Sequence, residues 1–156
     1  MQQFDLSSLP PAGRLAGLDV GDKTVGVAIS DSRRSVASPV ETVRRGKLAA
    51  DVAALQKLLQ ERNAVGLVVG LPVNMDGSEG PRCQSVRAFV RNIAQRGLVL
   101  PVAFWDERLS TAAVERFLVD EADMTRAGRA RVVDKMAAAY ILQGALDALA
   151  RQARTA

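Results

Sequence analysis

Residues 65–71 read VGLVVGL, seven apolar or glycine positions in a row with no polar side chain among them. The run is too short for a core helix, and turn-forming residues flank it, so it is expected to be a strand. A strand without polar alternation has no face to offer to water. It must be covered on both sides, which is the signature of an inner strand of a parallel sheet with helices above and below. The sequence around it agrees. Short apolar runs alternate with amphipathic stretches along most of the 156 residues, and this pattern predicts an α/β fold.

The chain opens with residues 1–13, which include Pro10-Pro11 and are expected to form a loose extension before one domain over 14–151 and a short tail over 152–156. Two apolar runs, 15–20 and 25–29, are joined by Gly21-Asp22-Lys23-Thr24 and predict a hairpin. Residues 35–43 predict a third strand, which Pro39 restricts to a sheet edge or a bulge. Leu48, Val52, Leu55 and Leu59 recur at helical spacing, with Asp51, Lys57 and Glu61 on the other side and Asn63 as the stop. After the 65–71 strand and a turn-rich segment, Pro81 begins a second helix with Val86, Phe89, Val90 and Ile93 inside and Gly97 just past its end. Residues 98–105 predict a fifth strand. A helix carrying Val114, Phe117 and Leu118, capped by Ser110 or Thr111, is expected next. A mobile loop over 121–129 and a last helix over about 132–151 complete the chain. The expected order is β-β-β-α-β-α-β-α-α, giving a mixed five-stranded sheet with an antiparallel start followed by parallel strands.

Histidine is absent. That excludes Ser-His-Asp and Cys-His nucleophile systems and any histidine-bound zinc. The one cysteine, Cys83, can form neither an intrachain disulfide nor a thiolate zinc site, and a reducing cytoplasm is the expected location. No apolar run is long enough for a membrane helix. The formal charge of +4 suits an anionic partner such as nucleic acid and suits an ordinary basic surface equally well. Hydrolytic chemistry in such a chain rests on carboxylates and hard cations, Mg²⁺ or Mn²⁺.

Functional groups of an open α/β sheet gather at the carboxyl ends of its parallel strands. Asp19 closes the first strand, inside an apolar segment. It is either a capped structural acid or a metal ligand, since a buried carboxylate needs one or the other. Asp76 follows the fourth strand, Asp106 and Glu107 follow the fifth, and Asp134 lies near the start of the last helix. Asp19, Glu107 and Asp134 can form an acidic cluster held together by two divalent ions, the arrangement that hydrolyses phosphodiesters in line. Each acid also has a plainer reading. Asp106 and Asp134 fit helix starts, Glu107 can pair with Arg108 or Lys135, and Asp76-Gly77 is a common turn. Lys23 and Arg108 are either surface charges or phosphate contacts. Trp105 reads as core.

Five segments, Leu18-Asp19-Val20-Gly21, Gly26-Val27-Ala28, Gly70 to Gly77 (GLPVNMDG), Asp106 to Thr111 (DERLST) and Val133 to Ala138 (VDKMAA), resemble the signatures of the YqgF/RuvX family in that family's order. The resemblance covers about residues 15–149. It implies a ribonuclease H-like fold related to RuvC-type Holliday junction resolvases, and a nuclease that matures the 5′ end of pre-16S ribosomal RNA. It also implies Asp19, Glu107 and Asp134 as ligands of Mg²⁺ or Mn²⁺. In the related resolvases the second acid follows the fourth strand, a place that holds Asp76 here; Glu107 is the favoured middle ligand. Lys23 and Arg108 are then expected at the scissile phosphate, with Asn74 shaping the entrance. The expected partner is structured nucleic acid, precursor rRNA before branched DNA, bound by a monomer or homodimer. A junction resolvase and a non-catalytic RNA-binding assembly factor are the alternatives. An actin-like ATPase, which shares the DVG–GVA type of hairpin, needs two such domains.

Overall fold

A computed structural model describes residues 5–109 and 126–155, with side chains of the C-terminal helix described for 135–154. Five strands form one sheet: β1 (Arg14–Val20), β2 (Thr24–Ser30), β3 (Ala37–Arg44), β4 (Ala64–Leu71) and β5 (Val102–Asp106). Their order is β3-β2-β1-β4-β5. β1 pairs antiparallel with β2, and β2 with β3, whereas β1–β4 and β4–β5 are parallel. The mixed sheet is therefore the one expected. β4, the 65–71 run, is an inner strand, buried over its last six residues.

The helices α1 (Leu48–Glu61), α2 (Pro81–Gln95) and α3 (Arg126–Thr155) cover the sheet. Alternation along the strands divides the core in two. Ala16, Leu18 and Val20 of β1 and Leu67, Val69 and Leu71 of β4 pack with Val52, Leu55 and Leu59 of α1 and Val86, Phe89 and Ile93 of α2. Leu15, Val68, Ala103 and Trp105 face the other way, against Ala138, Ile141, Leu142, Ala145 and Leu146 of α3. Each fully buried aliphatic side chain contributes about 1.5–3 kcal/mol, and both layers bury side chains of the central strands.

Local signals account for most boundaries. Asn63 takes the left-handed conformation (φ 56°) one residue past the Arg62 cap of α1, and Gly97 does so (φ 99°) one residue past the Arg96 cap of α2. Pro39 lies in edge strand β3, where the register with β2 shifts between Val27 and Ala28; both expected accommodations of a strand proline are present.

Several boundaries and placements differ from expectation. β5 begins at Val102 rather than 98: Pro101, just before it, has no N–H to give a ladder and contributes only its carbonyl, to the Leu67 N–H (2.8 Å), while Leu98 is buried in the connection. Asp51 does not face solvent with Lys57 and Glu61: it is buried and accepts the Gly46 N–H (2.9 Å), closing the entry to α1. The extension over 1–13 is docked from residue 5 onward. Leu6–Ser8 form a 3₁₀ turn, Leu6 and Leu9 are buried with the α3 layer, and Ser8 Oγ donates to the Val102 carbonyl (2.9 Å). α3 is longer than expected at both ends, taking in residues 126–129 of the expected loop and 152–155 of the expected tail. Residues 121–125 of that loop, and the helix expected around Val114, Phe117 and Leu118 with its Ser110 or Thr111 cap, lie outside the described residues. Among the described residues no helix is long and apolar enough to cross a membrane.

Candidate active site

Asp19 lies one residue before the end of β1, opposite Gly26 of β2, and is 8% exposed. Alternation puts it on the α3 face. Gly17, two residues earlier, sits so close to that helix that an added Cβ would lie 2.8 Å from both the Ala138 carbonyl oxygen and Leu142 Cβ. Leu18 pairs with Val69, so one residue further on Asp19 comes abreast of Gly70 on the neighbouring strand.

Gly70 is the floor on which Glu107 rests. A Cβ there would lie 3.0 Å from Glu107 Cγ and 2.6 Å from Ile141 Cδ1. Only a residue without a side chain leaves that space. Glu107 follows β5 directly, in a one-turn 3₁₀ helix (Glu107–Leu109), and is half-buried. Asp19 and Glu107 thus stand on one face of the sheet, at the carboxyl ends of the parallel strands.

The backbone of α3 brings the third acid to the same end. Leu146 and Leu149 line a cleft with Leu9 and Pro10 near the start of β1, while Ala138 and Leu142 pack at Gly17. The helix therefore runs antiparallel to β1, and Asp134, one turn before Ala138, is carried toward the level of Asp19. Among residues with described side chains, no three acids, cysteines or histidines form a metal-holding group; the Asp134 side chain lies outside that set.

The remaining candidates have other partners. Asp106, 2% exposed, receives a fork from Arg108: Nη2 donates to Oδ2 (2.7 Å), Nε to both oxygens (3.0 and 3.1 Å), and the Arg108 N–H to Oδ1 (2.9 Å). Asp106 raises the Arg108 guanidinium above its ordinary range through this contact. Arg108 Nη1 also donates to the Met75 carbonyl (3.1 Å). Arg108 thereby ties the loop after β4 (residues 72–80) to the end of β5. Asp76 is a turn residue. Its Oδ1 accepts the Ser78 N–H (2.9 Å) and Oγ–H (2.6 Å), which holds its carboxyl below the usual range. Asn74 organises the same turn, accepting the Gly77 N–H (2.9 Å) and donating to the Ser78 carbonyl (2.9 Å) and hydroxyl (3.0 Å).

Lys23 is exposed in the β1–β2 turn, and its carbonyl accepts the Arg45 N–H (2.8 Å). Arg45 in turn caps Gly21 O (2.6 Å) and lies over the Phe89 ring, 4.6 Å from its centroid, which fixes the hairpin end. Trp105 and Cys83 are core residues, and burial pushes the Cys83 thiol up, away from nucleophile chemistry. The Asp106–Arg108 fork was not read from the sequence, although the D-x-R spacing directly after a strand is its trace.

The candidate donors are hard carboxylate oxygens, that of Asp19 almost buried, beside a glycine hollow that a Cβ would fill. That set suits Mg²⁺ or Mn²⁺ and suits zinc or copper poorly.

Comparison with known proteins bears on the same region. A family model described as RuvX, Holliday junction resolvase, matches residues 13–148. A protein of Phenylobacterium zucineum named "Putative pre-16S rRNA nuclease" is 64% identical over 147 residues, covering 94% of each chain. One of the same name from Rhodospirillum rubrum is 64% identical over 146 residues, 93% of this chain and 89% of that one. Among solved structures, Thermus thermophilus RuvC in complex with a Holliday junction substrate superposes with a TM-score of 0.52 at 16% identity, over 87% of this chain and 94% of that one. At that identity the likeness concerns the fold alone, which is ribonuclease H-like.

Proposed function

The chain belongs to the RuvX family, and from that premise we propose that it is a metal-dependent endonuclease acting on the 5′ end of precursor 16S ribosomal RNA. The observation that supports this reading is that Asp19 and Glu107 stand on one sheet face at the carboxyl ends of parallel strands, beside Gly70, while the backbone of α3 runs so that residue 134 lies toward the same end. The high identity to relatives named as pre-16S rRNA nucleases favours RNA over junction DNA.

In this reading Asp19, Glu107 and Asp134 hold Mg²⁺ or Mn²⁺. Such ions, when bound, lower the pKa of a water and neutralise charge on the attacking and leaving oxygens. The chain's own contribution is placement. Asp19 is fixed by a central strand and has little freedom to leave the site. Glu107 is set by the turn that Asp106 and Arg108 lock. The exposed Lys23 at the hairpin end is placed to meet a phosphate of the strand being cut. Arg108 acts first as a tie to Asp106 and Met75, and its exposed edge serves the adjacent phosphate. Asn74 keeps the entrance loop in shape. The chain acts in the cytoplasm, where precursor rRNA is found.

The test is cleavage of two end-labelled substrates, a precursor 16S 5′ segment and a four-way DNA junction, with Mn²⁺, with EDTA, and with Asp19→Asn. RNA cutting that needs both the metal and Asp19 is expected. Cutting of the junction alone would replace this reading with a resolvase, and binding without cutting of either would replace it with an RNA-binding assembly factor.

A further inference from the structure

Met75 is 90% exposed and Leu109 is 62% exposed. Single apolar residues on a surface are ordinary, but these two differ in where they stand and how they are held. Met75 tops the loop over 72–80, whose backbone is fixed by the Asn74–Ser78 and Gly77–Asn74 bonds and by Asp76 on Ser78. Its own carbonyl is held by Arg108, which is locked on buried Asp106. Leu109 is the residue after Arg108, in the same turn as Glu107. A flexible apolar side chain is thus offered to solvent from a rigid platform, beside the acidic site, with a second one next to the arginine that ties the two loops together.

We propose that Met75, supported by Leu109, is the residue that contacts nucleobases standing unpaired or unstacked next to the cut, so that the site selects nucleic acid interrupted by such bases over continuous duplex. The proposal rests on the nuclease reading for its substrate class. Its chemistry is direct. In a regular duplex the base faces are covered by their neighbours, and only sugar and phosphate reach a protruding thioether. A base released from the stack offers an apolar face of the size that a Met side chain covers. Met and Leu are side chains that proteins insert at opened base steps. The polar groups around Met75 assist: the Asp76 carboxylate is engaged by Ser78, and the exposed part of Arg108 can meet the phosphate flanking the released base.

The experiment is equilibrium binding of the full chain to two fluorescent RNAs of equal length, in EDTA and at low salt so that nothing is cut. One RNA is a continuous duplex and the other carries two unpaired nucleotides. The wild-type chain is expected to prefer the interrupted RNA. Met75→Ala is expected to weaken that binding roughly tenfold, as loss of one buried apolar side chain implies, and to leave duplex binding unchanged; Met75→Leu restores the preference. The side chain contributes nothing to the core, so an unchanged melting temperature checks that the fold is intact. No difference between the two RNAs, whether both bind equally or neither binds, overturns the proposal, as does an equal loss on both with Met75→Ala. Failure of the nuclease reading is seen separately, in the cleavage assay, as no metal-dependent cutting of RNA by the wild-type chain or as cutting by Asp19→Asn at the wild-type rate.

Discussion

Replacing Gly17 by alanine adds one methyl group at the point where the sheet and α3 are closest. The new Cβ would lie 2.8 Å from the Ala138 carbonyl oxygen and 2.8 Å from Leu142 Cβ, against 3.4 Å for ordinary contact. Neither obstacle is the end of a flexible side chain. One is helix backbone and the other is the first side-chain atom of a fully buried leucine. Relief therefore means moving the helix axis off β1 by about 0.6 Å. Overpacking of this kind costs about 1–3 kcal/mol. Taking about 2 kcal/mol, a chain of this size loses roughly 4–8 °C of melting temperature. The same shift moves Asp134 relative to Asp19. Metal geometry tolerates about 0.2 Å, and a misplacement near 1 Å costs about a hundredfold in rate, so cleavage per folded molecule is expected to fall about tenfold. Gly46→Ala is the control, with nothing within 4 Å of its added Cβ; it should stay within about 0.5 kcal/mol of wild type. The assay is thermal unfolding by circular dichroism, followed by cleavage of the precursor RNA well below both transitions. If Gly17→Ala melts with Gly46→Ala, the close docking of α3 is refuted. If it melts lower but cuts at the wild-type rate, the helix does not set the site.

Two further outcomes follow from the loop over 72–80. Asp106→Asn removes the charge that the Arg108 fork grips; the variant should melt lower and be nicked faster by protease in that loop, and an unchanged digestion rate would contradict the tie. The Asp76 carboxyl is held below its ordinary pKa by Ser78, so the turn is favoured at every pH above the unfolded value of about 3.9 and is released only as pH falls through the lower folded value. The Ser78 amide proton shift, followed by NMR on acidification, should therefore move with a midpoint below that value in the wild-type chain and show no such step in Asp76→Asn; a midpoint at or above it would contradict the bond.

Much of this was legible in the sequence because single residues carry the decisive physics. A run without polar positions at 65–71 requires cover on both faces, and that alone dictates an inner strand and helices on each side. Asn63 and Gly97 mark helix ends because the chain there turns left-handed. Asp19 stood out as a charge in an apolar segment. What escaped was long-range. Nothing local reveals that Asp51 turns inward to meet Gly46 N–H, or that Leu6 and Leu9 complete the layer under α3. The early start of α3 was hidden by Gly128, read as a loop signal. The Ala and Arg residues around it favour helix more strongly than one glycine opposes it. The candidate acids could be named one by one, but the hollow at Gly70 and the Asp106–Arg108–Met75 tie depend on which strands lie side by side.

In the proposed function, three carboxylates from β1, the turn after β5, and α3 hold the divalent ions at which phosphodiesters are cut. Titration of the protein with Mn²⁺, read by the loss of the free-ion EPR signal, tests it without depending on the choice of substrate. Wild-type chain should bind Mn²⁺ saturably. Outer-shell partners of a metal are worth about 10- to 100-fold in affinity, so Asp19→Asn, Glu107→Gln and Asp134→Asn, each removing a ligand, should weaken binding at least tenfold, while Asp76→Asn leaves it unchanged. Binding that is unaltered by the first three, or that disappears with Asp76→Asn instead, would contradict the account.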